Sequence, residues 1–507
     1  MPLLFALTLP LSAAEPVVLD GDVPSDGAFF QLPFDVPAGA AEIAVTHAAG
    51  DGADILDWGV IDPTGALRGW GGGNTEDAVF GEDSASRSYL PGALPSGEWA
   101  VLVGKARVRS AAPTYAVTVT VRDAPTLAAQ PERRPYVDVD LGGGPRWVAG
   151  DFHVHSRESG DASPSLDAVA AFARAKGLDF VALSEHNTTS HLTLLGDAQD
   201  RSPDVLLVPG AEITTYGGHA NGLGLTLPVP FALGLDGLDF LDVAAAVADA
   251  GALLSINHPV LDLGDACIGC AWDNPVPPPE HLAAVEIATG GWEQSGQLFD
   301  EAAIAFWDAL LDDGYHLAAI GGSDDHTAGT GTGAFHSDIG DPTTLVYVDT
   351  LSRPALLDGI RAGRTVVKLQ GPDDPMVVLD AEPAADGDTV RASEVRFTAE
   401  VTDGVGTRVR FVVDGVPREP VGIDADPFVA TLVLTPAEAG RVRAEVMVEG
   451  YPRTVTSHLW LAEGAAIEAP PPACGCASAP RPVGLVALSH AGLALARRRS
   501  RRVGGGP

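Results

Sequence analysis

Six histidines and several carboxylates lie in short clusters between Asp151 and Thr327: His153-Val154-His155, Glu185-His186, Glu212 with His219, His258, and Asp324-Asp325-His326. Imidazole and carboxylate without thiolate form a donor set for divalent Zn, Mn or Fe rather than for Cu(I) or an iron–sulfur cluster. Ten of the thirteen histidines fall between His153 and His336, little more than a third of the chain. Such crowding predicts a multinuclear metal site, whose chemistry would be the acidification of a bound water for hydrolysis.

Each cluster follows an apolar, strand-like run. Trp147 to Phe152 leads into His153, Phe180 to Leu183 into Glu185, Val205 to Val208 towards Glu212, Ala252 to Ile256 into His258, and His316 to Ile320 towards Asp324. A helical pattern from Ser165 to Lys176, with Pro164 before it and Gly177 after it, separates the first two runs. Buried strands alternating with helices predict an α/β fold with a parallel sheet, and its chemistry belongs at the carboxyl ends of the strands.

The strings GDFHVHS, SEHN, PGAEITTYGGHANGLG, NHP and GGSDDH, in this order, resemble the motifs of the PHP (polymerase and histidinol phosphatase) superfamily, and more closely its secreted carbaryl-hydrolase-like (CehA/McbA) branch. The likeness covers roughly residues 145 to 370. It implies a distorted (β/α)7 TIM-like barrel binding two to three divalent ions. By the same resemblance His153, His155, Glu212 and Asp324 hold the first ion, Glu212 bridges to a second on His219 and His258, and Asp161, His186 and His326 hold a third. Glu185 stands where an aspartate is common and is expected to orient a ligand imidazole.

Three divalent ions carry more charge than three carboxylate ligands neutralise, which favours an anionic substrate. A phosphoesterase acting on phosphomonoesters or small nucleotides is the leading expectation, with a water lowered to a pKa of about 7 as attacking group. Asp325, His191 and His336 are candidates for protonating the leaving alcohol or contacting substrate, and Arg157 for clamping a phosphate. A carboxyl or carbamate ester hydrolase using the same site is the alternative, and a non-catalytic cell-surface binding protein a second one.

The 507 residues suggest about three domains. Before the barrel, alternation such as Tyr115, Val117, Val119 and Val121 predicts a β-sandwich over residues 15–122, with a linker over 123–144 and the barrel over 145–371. Val395, Phe397, Ala399 and Val401 share a face in a second, Ig-like sandwich over 372–462, where Asp414-Gly415 predicts a hairpin turn. The net charge of −37 excludes the basic surface that a long nucleic acid needs. Residues 1–14 read as a signal peptide. Residues 463–507, with Cys474-Gly475-Cys476, the apolar run Val483 to Ala496 and five arginines, resemble a sorting tail of the MYXO-CTERM type. Export to the periplasm or surface of a Gram-negative bacterium is expected, with membrane contact through the tail before processing. Cys267 and Cys270 fit a disulfide in an oxidising compartment, with a zinc knuckle as rival. The insertion that carries them, from Val260 to Pro279, is expected to cap the pocket.

Overall fold

The structure is a computed structural model that describes residues 15–47, 53–290, 297–332 and 336–464. The expected signal peptide and nearly all of the expected sorting tail lie outside the described residues. Among those described, no helix is long and apolar enough to cross a membrane.

Two four-stranded antiparallel sheets form the N-terminal region. One has the order Val17–Asp22, Thr114–Arg122, Glu42–His47, Ala78–Gly81, the other Phe29–Val36, Gly97–Arg107, Ile55–Ile61, Leu67–Gly72. The alternation read from the sequence is the reason: along Thr114–Arg122 the residues Val117, Val119 and Val121 point inward, where they meet Ile43, Phe80, Trp99 and Val101.

The central region is mixed α/β and rich in sheet. Strands Leu206–Val208, Phe180–Leu183 and Arg146–Val154 pair in parallel, and Thr343–Val348 and Thr365–Lys368 add antiparallel. A second sheet runs Gly210–Thr215, Gly218–Leu223, Leu253–Ile256, Ala284–Ala288, Ala318–Gly321. Phe152, Phe180 and Leu206 of the first sheet and Leu253, Ala284 and Ile320 of the second share one core. Their ladders do not join into one ring among the described residues. The parallel bridges Val154–Asp325 and His186–Glu212, and the Gly321 amide bonded to Thr344 Oγ1 at 2.7 Å, link their edges. This departs from a regular seven-fold barrel for a local reason. The segment from Gly210 to Leu223 folds back as an antiparallel hairpin, turning at Tyr216-Gly217 just before Gly218 takes a φ of 146°, instead of crossing over through a helix.

In the C-terminal region Met376–Glu382, Val395–Thr402 and Phe428–Leu434 form a three-stranded sheet, with Val395, Phe397, Ala399 and Val401 buried as their alternation requires. Asp414 and Gly415 both have positive φ, the geometry of a tight hairpin turn. The facing sheet is continuous with the central region, because Tyr451–Thr456 pairs with Thr365–Lys368.

Candidate metal centre

His153 is the penultimate residue of strand Arg146–Val154, and His155 follows directly after the strand. A spacing of two puts both on the same side, and both are fully buried. Asp151 fixes the strand end by accepting from the amides of His153 (2.9 Å), Ser323 (3.1 Å) and Gly340 (2.8 Å). The Asp324 amide donates to the His153 carbonyl at 2.8 Å, and this close approach needs Gly322, where a Cβ would lie 2.2 Å from that of His153. Asn187, His258 and Asp324 each hold a positive φ, and strained non-glycine backbone of this kind concentrates at functional sites.

Glu212, only 1% exposed, is the hub. Its Oε1 lies 3.3 Å from His153 Nε2, 3.3 Å from His219 Nδ1 and 3.5 Å from His258 Nε2, while Oε2 lies 2.7 Å from His186 Nδ1 and 3.7 Å from His155 Nε2. Asp324 Oδ1 approaches the Nε2 atoms of His153 and His155 at 3.3 and 3.0 Å. On the other side of His155, Asp161 Oδ2 lies 3.4 Å from His186 Nε2 and 3.6 Å from His326 Nε2. All nine residues expected to hold metal are therefore brought to one place.

The donor atoms are also aimed. His153 Nδ1 meets Glu286 Oε2 at 2.9 Å, His155 Nδ1 meets Ser159 Oγ at 2.9 Å, and His258 Nδ1 meets the Cys270 carbonyl at 3.1 Å. Ser159 in turn donates to Glu185 at 2.7 Å, so Glu185 acts on His155 through a hydroxyl. Partners of this kind set the tautomer and orientation of ligand imidazoles. His153 Nε2, His155 Nε2, His258 Nε2 and Asp324 Oδ1 are buried and make no aligned hydrogen bond, facing Glu212 and one another at 3.0 to 3.7 Å. Buried polar atoms are rarely left so, and four that converge around Glu212 fit divalent cations.

The buried acids and imidazoles perturb one another strongly. Burial opposes charge on His153, but Asp324, Glu212 and Glu286 outweigh it and raise its pKa well above the ordinary range. Burial would also raise Glu212, yet His153, His219 and His186 hold it well below the usual carboxylate range. His155 is pushed down to about 3 by burial, with His326 and His186 beside it. Burial pushes Glu185 up to about 7 against the hydrogen bonds from Ser156 and Ser159.

A cavity of about 830 Å³ opens over the centre. The N-terminal sandwich supplies one wall, with Phe29, Asp57 and Trp70, and the hairpin supplies Tyr216. Leu261 and Ile268 come from the loop closed by a Cys267–Cys270 disulfide. That loop is the expected cap, and the disulfide takes up the Cys270 sulfur, which otherwise lies within reach of His219 and His258.

Arg157, His191, Asp325 and His336 do not line this cavity, contrary to the expectation for each. Asp325 accepts from the amides of Thr327, Gly329 and Ile339 at 2.6, 2.8 and 3.2 Å, so its carboxylate is spent on holding the loop. His191 is buried at the start of helix Leu192–Arg201, His336 turns to Asp338 at 3.0 Å, and Arg157 faces solvent. Sequence reasoning missed Glu286, whose only signal is a single acid in the apolar strand Ala284–Ala288, and it missed Asp57, which comes from another region of the chain.

No protein-family model matches the chain, and no curated protein is significantly similar to it. Among solved structures, it is similar to a two-domain protein of Bacteroides vulgatus ATCC 8482 containing a predicted PHP-like metal-dependent phosphoesterase, at 19% identity over 66% of this chain and 100% of that one, with a TM-score of 0.36. It is also similar to an amidohydrolase of Chromobacterium violaceum, at 18% identity over 35% of this chain and 88% of that one, with a TM-score of 0.26. Likeness of this size assigns neither family nor activity, and the ligand geometry carries the functional conclusion.

Proposed function

We propose that the protein is a metal-dependent hydrolase of the PHP type that cleaves phosphate esters, phosphomonoesters or small nucleotides first among them. One observation carries this: three buried imidazole nitrogens face Glu212, and two of them also Asp324, without an aligned hydrogen bond, while each imidazole is fixed from behind. His153, His155, Glu212 and Asp324 would hold one divalent ion, Glu212, His219 and His258 a second, and Asp161, His186 and His326 a third, as Zn, Mn or Fe. Bound ions would supply Lewis acidity and an acidified water. The chain's own part is to position and to shield. Glu286, Ser159 and the Cys270 carbonyl hold the imidazoles, and the sandwich wall and the disulfide loop enclose the ester.

No Lys or Arg lines the cavity among the described residues, so attraction of an anion falls to the ions. The same apolar wall favours, as a second reading, a neutral carboxyl or carbamate ester. A disulfide suits export, and we place the protein in the periplasm or on the surface of a Gram-negative cell. Purified protein is tested on a chromogenic phosphomonoester, phosphodiester and carboxyl ester, with and without chelator. Phosphate-ester turnover that chelation abolishes and added ion restores is expected. Carboxyl-ester turnover alone promotes the second reading, and inertness throughout contradicts both.

A further inference from the structure

Hydrolysis of an alkyl ester needs a proton for the departing alkoxide, and a side chain that provides it must reach the cavity. None of the residues expected to do so from sequence does. Outside the proposed ligands and the disulfide, the described titratable residues lining the cavity are Asp57, Tyr216 and Asp265. Asp265 is bound in ion pairs to Arg109 at 2.7 Å and Arg107 at 3.5 Å. Tyr216 donates its hydroxyl to Asp57 Oδ2 at 2.7 Å, and burial with Asp57 beside it raises the phenol well above its ordinary range.

Asp57 remains. It sits on strand Ile55–Ile61 of the sandwich, half-buried, with no ion pair to any described residue. Its second oxygen lies beside the glycine loop of the cavity wall, 3.4 Å from where a Cβ on Gly73 would be. Tyr216 is itself fixed, because Phe29 stacks on its ring at 5.3 Å and its hairpin carries Glu212 four residues earlier. We propose that Asp57 is the general acid of this site, contributed by the N-terminal sandwich to a centre built by another region of the chain.

The assignment rests on the hydrolase reading above. In the step it describes, the P–O bond to the alcohol breaks and the electron pair stays on the alcohol oxygen. The carboxyl proton of Asp57 moves to that oxygen. Water leaves a hydroxyl on phosphorus and its released proton restores Asp57, so ester and water become alcohol and phosphate. Burial pushes the carboxyl up to about 6 against the Tyr216 bond, with His186 and Asp161 acting across the cavity in opposite directions. Arg107, on the neighbouring strand, reaches Asp265.

The test is Asp57→Asn, which keeps an acceptor for Tyr216, in the metal-loaded full chain. A p-nitrophenyl ester needs no proton for its leaving group, whereas β-glycerophosphate does. The alkyl-to-aryl ratio of kcat/KM is expected to fall about 10²- to 10⁴-fold, with metal content and Tm as in wild type. The wild-type limb in which alkyl-ester turnover falls as pH rises should be missing in the variant. Equal effects on both esters, or none, overturn the assignment while leaving the hydrolase intact. A wild-type protein inert on every ester overturns the hydrolase reading and this assignment together.

Discussion

Glu286 offers the sharpest prediction, because it touches the centre only through His153. It is 1% exposed, and its Oε2 accepts from His153 Nδ1 at 2.9 Å, opposite the unpartnered Nε2. In Glu286→Gln the amide oxygen still accepts this bond, but the charge is gone. A hydrogen bond to a charged group contributes about 1.5–3 kcal/mol and a neutral one about 0.5–1.5. The loss is then about 1–1.5 kcal/mol, close to tenfold in affinity at about 1.4 kcal/mol per decade. Glu286→Ala also leaves a buried N–H unpaired, and the deficit should approach the upper end of about 10- to 100-fold known for such supporting residues. Titration against a competing chromophoric chelator measures both, and melting in excess chelator separates loss of metal from loss of fold. Wild-type affinity in both variants would refute the idea that Glu286 aims His153 at an ion.

Burial holds His191 down to about 3 from 6.5, so the unfolded chain takes up a proton below 6.5 while the native one does not. Stability therefore falls as pH falls across that window, by about 2 kcal/mol at pH 5 from this group, and denaturant melts of His191→Leu should show a correspondingly flatter acid limb. Arg443 is 4% exposed and bonds Glu445 at 2.8 Å and Asp308 at 2.7 Å, tying helix Gln297–Asp312 to strand Arg441–Val448. Arg443→Met leaves Glu445 to Arg410 alone and Asp308 to Arg441 at 3.5 Å, and it should lower the unfolding free energy by about 3 kcal/mol in urea melts. Replacing Cys267 and Cys270 by serine frees the loop whose Cys270 carbonyl meets His258, and an affinity loss of about tenfold for one ion is expected by chelator competition.

Much of the centre was legible in the sequence because strand geometry is periodic. His153 and His155 share a side through a spacing of two, and ligands after apolar runs arrive at strand ends by construction. The hub role of Glu212 was legible only through family resemblance, since nothing in its spacing says that five imidazoles meet there. Asp325 misled because it stands inside a ligand motif, while its bonds to Thr327, Gly329 and Ile339 depend on how the following loop folds back. Asp57 was beyond reach for a different reason: its place beside Tyr216 is a contact across 159 residues, created by packing the sandwich on the hairpin. The unclosed pair of sheets was equally hidden, because GAEITTYGGHANGL reads as a strand end and ligand loop until its Tyr216-Gly217 turn pairs it with itself.

The most direct test of a metal centre is elemental analysis of the purified chain beside His155→Ala and Asp324→Asn. About two to three Zn, Mn or Fe per wild-type chain are expected, with at least one lost in each variant while circular dichroism stays native. Wild-type protein free of metal even after each ion is added back, or variants that retain the full complement, would contradict it.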